Sequence, residues 1–297
     1  MVLNYEEINY ERLLEGYRVL ITGGASGIGK ETALLFAKHG ASVAIADRDQ
    51  AAGLQTEAEL REISPESFLV VADLGRLEEV DRVADLVIER FGSLHSLVNN
   101  VGLFEPGFLI EQPIEALGRM LDVNVSGPIR LTQRILPAMF ENRNGTLVHI
   151  LSDYCLRGAP GVSLFAATKG AIYSFSRSIA YEYSRYNIRS NCILPGMNIG
   201  SHGDLYIERY GAEEAEADFA QFQPLAGRGS TLDVANAALF LASELSRFVN
   251  GDQIDITGGA CAKAHKQYQR REEANWRNHV TFLTVPSTEA LRAGGLK

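Results

Sequence analysis

The sequence predicts an α/β fold in which a doubly wound parallel sheet carries helices on both faces within a single domain. Three observations lead there. Short apolar runs alternate with amphipathic helical patterns along most of the 297 residues, a glycine-rich segment separates the first apolar run from the first helical pattern, and an acid, Asp47, closes the second apolar run. Strands that alternate with helices of this length are parallel strands joined by helical crossovers.

The elements follow in order. Val19, Leu20 and Ile21 read as the first strand, and the spacing of Ile28, Ala33, Leu34, Phe36 and Ala37 as the first helix, closed by Gly40. Residues 42–47 make a second buried strand that ends at Asp47. A helix over 50–61, a strand over 68–71, a helix over 77–91 with Val80, Val83, Ala84 and Val87 on its apolar face, and a strand over 94–98 come next. Beyond a loop holding Pro106 and Gly107, a long helical region is expected over about 113–140, leading into a strand over 146–151. A helix over 162–183, a strand over 188–193 stopped by Pro195 and Gly196, and a last strand over 252–256 complete the pattern. With no linker interrupting the alternation, residues 17–260 are expected to form one domain, behind a leader of residues 1–16 and ahead of a C-terminal extension over 261–297. The acid-rich segment 198–222 falls outside the regular pattern and is expected to be a substrate lid.

Composition narrows the function. Hydrophobic residues are 46% and charged residues 22%, the balance of a globular protein. A net charge of −9 repels phosphate backbones and anionic lipid surfaces, so neither nucleic acid nor membrane is an expected partner. The first residues carry several glutamates and no apolar core, unlike a secretory signal or a transit peptide, and the cytoplasm is the expected address. Cys155, Cys192 and Cys261 lie far apart, and the six histidines show no paired spacing; neither a disulfide framework nor a metal site is expected.

The local sequence with the most chemistry is Thr22-Gly23-Gly24-Ala25-Ser26-Gly27-Ile28-Gly29. Glycines there let the backbone turn sharply and approach a pyrophosphate, and the following helix start offers unpaired N–H groups and positive dipole character to the anion. Asp47, roughly 20 residues past the loop, can accept hydrogen bonds from both ribose hydroxyls of the adenosine half. A 2′-phosphate would meet its negative charge, partly offset by neighbouring Arg48, so the expected cofactor is NAD rather than NADP. The fold is therefore expected to be of Rossmann type.

On these residues the chain resembles the short-chain dehydrogenase/reductase family over about residues 17–260. Thr22 to Gly29 is similar to its T-G-x-x-x-G-x-G cofactor loop, Asp73-Leu74 to its adenine-side acidic pair, and Asn100-Val101-Gly102 to the end of its N-N-A-G motif. Asn124 resembles the family's catalytic asparagine, Ser152 its catalytic serine, Lys169 the lysine of Y-x-x-x-K, and Pro195-Gly196 the turn beneath the nicotinamide. The resemblance implies a hydride transfer between nicotinamide and a secondary alcohol or ketone. Tyrosine exchanges the proton, lysine lowers the tyrosine pKa and holds the ribose, serine bonds the substrate oxygen, and asparagine orders a relay water. It also implies a homodimer or homotetramer.

One position departs from the pattern. The residue four before Lys169 is Phe165, which has no proton to exchange. Three explanations stand open: a Tyr→Phe substitution that disables an otherwise ordinary dehydrogenase, a native site in which another group such as Tyr154 moves the proton, or a nucleotide-binding protein without activity. Two further readings of the same fold are a non-catalytic nucleotide-binding subunit and a non-redox isomerase or lyase. His149 and Leu151 replace the common Asn and Ser around the fifth strand and are read as packing changes, and Gly200 with Ser201 stands where the family often has a carboxamide-binding threonine. Tyr154, Leu156, Phe104, Met197 and the 198–222 segment are the expected pocket residues, which suit a moderately apolar or aromatic small molecule.

Overall fold

The computed structural model describes residues 8–196, 207–208, 211–213, 223–225 and 227–262. Seven parallel strands form one sheet: β1 (Arg18–Thr22), β2 (Ser42–Asp47), β3 (Phe68–Val71), β4 (Ser96–Asn99), β5 (Gly145–Ile150), β6 (Ile188–Pro195) and β7 (Gln253–Ile256). Their order across the sheet is β3-β2-β1-β4-β5-β6-β7. The chain winds outward from β1 in one direction, then returns to β4 and winds in the other. That reversal opens a crevice at the carboxyl ends of β1 and β4, where sheets of this kind hold ligands.

Both faces of the sheet are buried because alternate side chains point to opposite sides. Within β1, Val19 and Ile21 enter one core with Phe36 of α1 (Gly27–Lys38) and Leu60 of α2 (Gln50–Ile63). Leu20 enters the other core with Val80, Val83 and Val87 of α3 (Leu77–Phe91). That second core is closed by Leu131, Ile135 and Met139 of α5 (Gly127–Asn142) and by Ile179 of α6 (Ser163–Tyr183).

Several expectations need correction. The helical region expected over 113–140 is present, built of two helices, α4 (Ile114–Leu121) and α5, joined by a π-helical turn at Asp122–Ser126 that the pattern did not signal. The reason is local: Asn124 turns inward, with its side chain bonded to the Leu103 backbone and to Thr168, and the rod widens by one residue to admit it. A further helix, α7 (Thr231–Ala242), covers α1 and was not expected at all. Its start carries a capping box, in which Ser230 and Asp233 bond each other's backbone N–H, ahead of the buried run Val234, Ala235, Ala237, Ala238 and Leu241. Ser-x-x-Asp before apolar residues is a sequence-level helix start. The core also begins earlier than residue 17: Leu14 is fully buried against α1 and β2, and the Leu14 and Gly16 N–H groups donate to the His39 and Gly40 carbonyls.

The lid expected over 198–222 lies outside the described residues apart from 207–208 and 211–213, as do Met197, Gly200, Ser201 and the extension beyond Ala262. The described residues up to Cys261 belong to one compact unit. No helix among the described residues is long and apolar enough to cross a membrane.

Candidate active site

A cavity of about 530 Å³ opens at the carboxyl ends of the central strands. Its floor on one side is the glycine loop. Gly23, Ser26, Gly27 and Ile28 line it, and Gly23 and Gly27 hold positive φ angles of 68° and 56°, the region that favours glycine. Gly29 stands behind the lining with a different constraint: a Cβ there would meet the Gly23 carbonyl oxygen at 2.0 Å. The loop is stapled from β4. Asn100 donates from Nδ2 to the Thr22 and Gly23 carbonyls at 2.9 and 3.1 Å, while the Asn100 and Val101 N–H groups donate to Thr22 Oγ1. Thr22 thus holds the loop to the strand end.

The loop suits an anion. Ser26 precedes α1 with an extended backbone and no side-chain cap, and no acid occupies the first turn, so this helix start keeps its donors and its positive dipole end for a ligand. Asp47 and Arg48 line the same cavity from the end of β2. Asp47 accepts from the Ala25 N–H through Oδ2 and from the Asp49 N–H through Oδ1, both at 3.0 Å, which fixes the carboxylate beside the loop with lone pairs to spare.

The opposite wall comes from β5, α6 and the β6 end. Ser152, Phe165, Lys169, Pro195 and Gly196 line the cavity together with Val101 and Gly102. Phe165 and Lys169 lie one turn apart on α6, with Lys169 Nζ 5.7 Å from the Phe165 ring centroid. The Phe165 ring also packs edge-on against Phe104, centroids 4.9 Å apart. Lys169 Nζ donates to the Ile150 carbonyl at 3.1 Å, and burial pushes its pKa down to about 8. Ser152 Oγ accepts the Tyr154 N–H at 3.3 Å and lies 3.2 Å from Asp153 Oδ1.

Not every expected residue reaches the cavity. Asn124 sits behind the wall. Its Oδ1 accepts the Leu103 N–H at 2.6 Å and its Nδ2 donates to the Leu103 carbonyl and to Thr168, so its side chain braces the loop after β4 against α6. Asp73 accepts the Gly75 N–H and Leu74 is buried in the core beneath, and neither lines the cavity. Conversely, Asp153 and Arg157 line it, paired with each other, and were not singled out from the sequence. Among the described residues no group of three or more His, Cys, Asp or Glu could hold a metal ion.

A model of the family described as Enoyl-(Acyl carrier protein) reductase matches residues 23–261, the span that holds both walls of this cavity. The chain belongs to the short-chain dehydrogenase/reductase family. It is 34% identical over 249 residues to a 3-oxoacyl-(acyl-carrier-protein) reductase of Thermotoga maritima, covering 83% of this chain and 98% of that protein. It is 35% identical over 251 residues to L-fucose dehydrogenase of Bos taurus, covering 82% and 89%. The solved structure of 7α-hydroxysteroid dehydrogenase complexed with NADH and 7-oxo glycochenodeoxycholic acid superimposes with a TM-score of 0.78 at 30% identity, covering 84% of this chain and 97% of that one. These short-chain dehydrogenases/reductases are named for different substrates, so membership fixes the fold and the oxidoreductase class but not the molecule acted on.

Behind the cavity of this short-chain dehydrogenase/reductase, His149 on β5 is fully buried, with Nδ1 3.3 Å from Asn99 Nδ2 and Nε2 3.3 Å from Ser190 Oγ. Desolvation, helped by the Lys169 charge, lowers its pKa to about 4. The folded state therefore binds fewer protons than the unfolded chain between pH 6.5 and about 4, and stability falls as pH drops through that window, by about 3 kcal/mol once both states are protonated. Urea unfolding of His149→Asn across this range is expected to show a correspondingly flatter decline. An unchanged slope would mean that His149 does not titrate on unfolding.

Proposed function

We propose that this chain is an NAD-dependent oxidoreductase acting on a secondary alcohol or its ketone. The observation that carries the reading is the convergence of the glycine loop, Asp47, Ser152 and Lys169 on one cavity. Bound nicotinamide supplies the hydride acceptor or donor at its ring C4. The residues do the rest. The loop from Thr22 to Gly29 and the start of α1 receive the pyrophosphate. Asp47 takes the adenosine ribose, Asn100, Val101 and Gly102 border the groove, and Lys169, with Pro195 and Gly196, takes the nicotinamide half. Ser152 bonds the substrate oxygen, Asn124 braces the wall, and Phe165 fills the place from which a tyrosine would exchange the proton.

The apolar surface of Phe104, Leu151, Tyr154 and Phe165 suits a moderately apolar or aromatic substrate. The same reading makes the protein a cytoplasmic homodimer or homotetramer, with residues 198–222 as its substrate lid.

Two measurements test it. NADH added to the protein is expected to show enhanced, blue-shifted fluorescence, and a panel of secondary alcohols with NAD to yield NADH; turnover of a product with no net change in NADH would instead mean non-redox chemistry. The cofactor preference rests on the Asp47 charge. Asp47→Asn keeps a side-chain acceptor for the Ala25 N–H and removes the charge, and it is expected to tighten NADPH relative to NADH by about tenfold, roughly 1.4 kcal/mol. A ratio of dissociation constants that does not move would remove Asp47 from the preference.

A further inference from the structure

Asp153 is a carboxylate only 2% exposed, at the edge of the cavity, and nothing above gives it work. A buried carboxylate needs partners on both oxygens. Oδ2 takes Arg157, at 2.6 Å from Nε and 2.5 Å from Nη2. Oδ1 lies 3.2 Å from Ser152 Oγ. Because a carboxylate only accepts, the serine hydroxyl donates to it, and its proton is engaged there and not offered to a substrate. The Tyr154 N–H occupies one lone pair of the same oxygen. What Ser152 presents to a substrate is then the remaining lone pair, an acceptor that matches a hydroxyl and not a carbonyl.

We propose that Ser152 and Asp153 form a two-residue proton relay, positioned by Arg157, which takes the substrate's hydroxyl proton in place of a tyrosine and sets the site to receive an alcohol. The inference rests on the oxidoreductase reading above. As the carbinol C–H bond breaks and its hydride reduces NAD, the substrate O–H proton passes to Ser152 Oγ and the serine proton passes to Asp153 Oδ1. The products are ketone, NADH and neutral Asp153; ketone reduction runs the same transfers backwards from the protonated acid.

Competing groups are less suited. Lys169 Nζ donates to the Ile150 carbonyl. Burial and then the Asp153 charge raise the Tyr154 pKa, which makes that phenol harder to ionise as a base. The titratable and charged groups around Asp153 are Arg157, Tyr154 and Cys155 on its own loop, Asp255 and Cys261 at the β7 end, and Lys169 on α6 beside Cys155. Arg157 is the cation in direct contact with the carboxylate.

The test compares Asp153→Asn in the chain as it stands and in the F165Y background, following alcohol oxidation by NAD. In the first, kcat/KM is expected to fall by about 10² or more; in the second, where tyrosine carries most of the turnover by its own route, almost none of that loss is expected. Arg157→Gln, which leaves the carboxylate in place and removes the partner that fixes it, is expected to lower kcat/KM in the first background and much less in the second, and it serves if Asp153→Asn does not fold. Infrared difference spectra of the cofactor-free protein against Asp153→Asn are expected to show an ionised carboxylate at pH 7 whose band moves in Ser152→Ala. Equal losses in both backgrounds, or a neutral acid at pH 7, would overturn the relay. A protein that oxidises no alcohol in the panel, wild type and F165Y alike, fails the oxidoreductase reading instead, and the infrared spectra then decide the Ser152–Asp153 pairing by themselves.

Discussion

Replacing Phe165 with tyrosine is expected to raise kcat/KM for alcohol oxidation by about 10²-fold, the lower end of what a positioned acid–base group contributes. The change adds one oxygen to a ring that already lines the cavity, one helical turn from Lys169. The pocket around that ring is formed by Ala116, Met120, Leu103 and Phe104, and the substitution changes little of this apolar contact. A buried ammonium nearby favours the ionised phenol, which is the direction a base requires. The check is steady-state kinetics of both proteins on the same alcohols, beside their thermal midpoints. No increase, with NADH bound equally by both, would mean that proton transfer does not pass through position 165 even when a tyrosine stands there.

The second large effect is on nucleotide binding. Gly29→Ala is expected to abolish detectable NADH binding and to destabilise the fold by roughly 1–3 kcal/mol, the usual range for overpacking. The added Cβ would lie 2.0 Å from the Gly23 carbonyl oxygen and 2.6 Å from Asn100 Nδ2, so it pushes on backbone and on the staple that holds the loop to β4. No far end of a flexible side chain is available to give way at the carbonyl. Gly118→Ala is the control: it sits inside α4 with nothing within 4 Å of the added atom, and a gain of roughly 0.5–1 kcal/mol is expected from helix propensity. Chemical unfolding and NADH titration of the two variants decide the matter. Binding retained by Gly29→Ala would show that the loop tolerates displacement and that its close approach is not what the ligand needs.

The sheet was legible because each buried strand is an apolar run bounded by turn residues. Residues 42–47, 68–71 and 77–91 fall on β2, β3 and α3 with the expected limits. The cavity wall was legible where backbone conformation demands a residue type, as at Gly23 and Gly27, or where two positions share a helix face, as at Phe165 and Lys169. Other parts were hidden for physical reasons. Helical periodicity runs through residues 113–140, and the Gly127-Pro128 pair that directly follows the turn marks a helix break without signalling that one residue swells the turn before it. The pairing of Asp153 with Arg157 depends on a short 3₁₀ turn at Asp153–Cys155, and its link to Ser152 on a contact between neighbours in sequence that periodicity does not register. Asp73 and Leu74 illustrate the converse: matching a motif placed them in the site, whereas Leu74 belongs to the core and Asp73 organises the turn before α3.

The swollen turn between α4 and α5 acts as a phase shifter. One residue advances a helix by roughly 100°, so an extra residue in the turn rotates everything after it by that amount relative to what comes before. The inward side chains obey this: Ala116 and Met120 of α4 face the Phe165 pocket, whereas Leu131, Ile135 and Met139 of α5 face the sheet core. A single uninterrupted rod could satisfy one of these surfaces but would present the other to water. Deleting one residue from Asp122–Ser126 would restore regular winding and force a choice between substrate wall and sheet, with Asn124 losing its aim in either case. The bulge is thus a vernier by which one helix serves two surfaces with different angular demands.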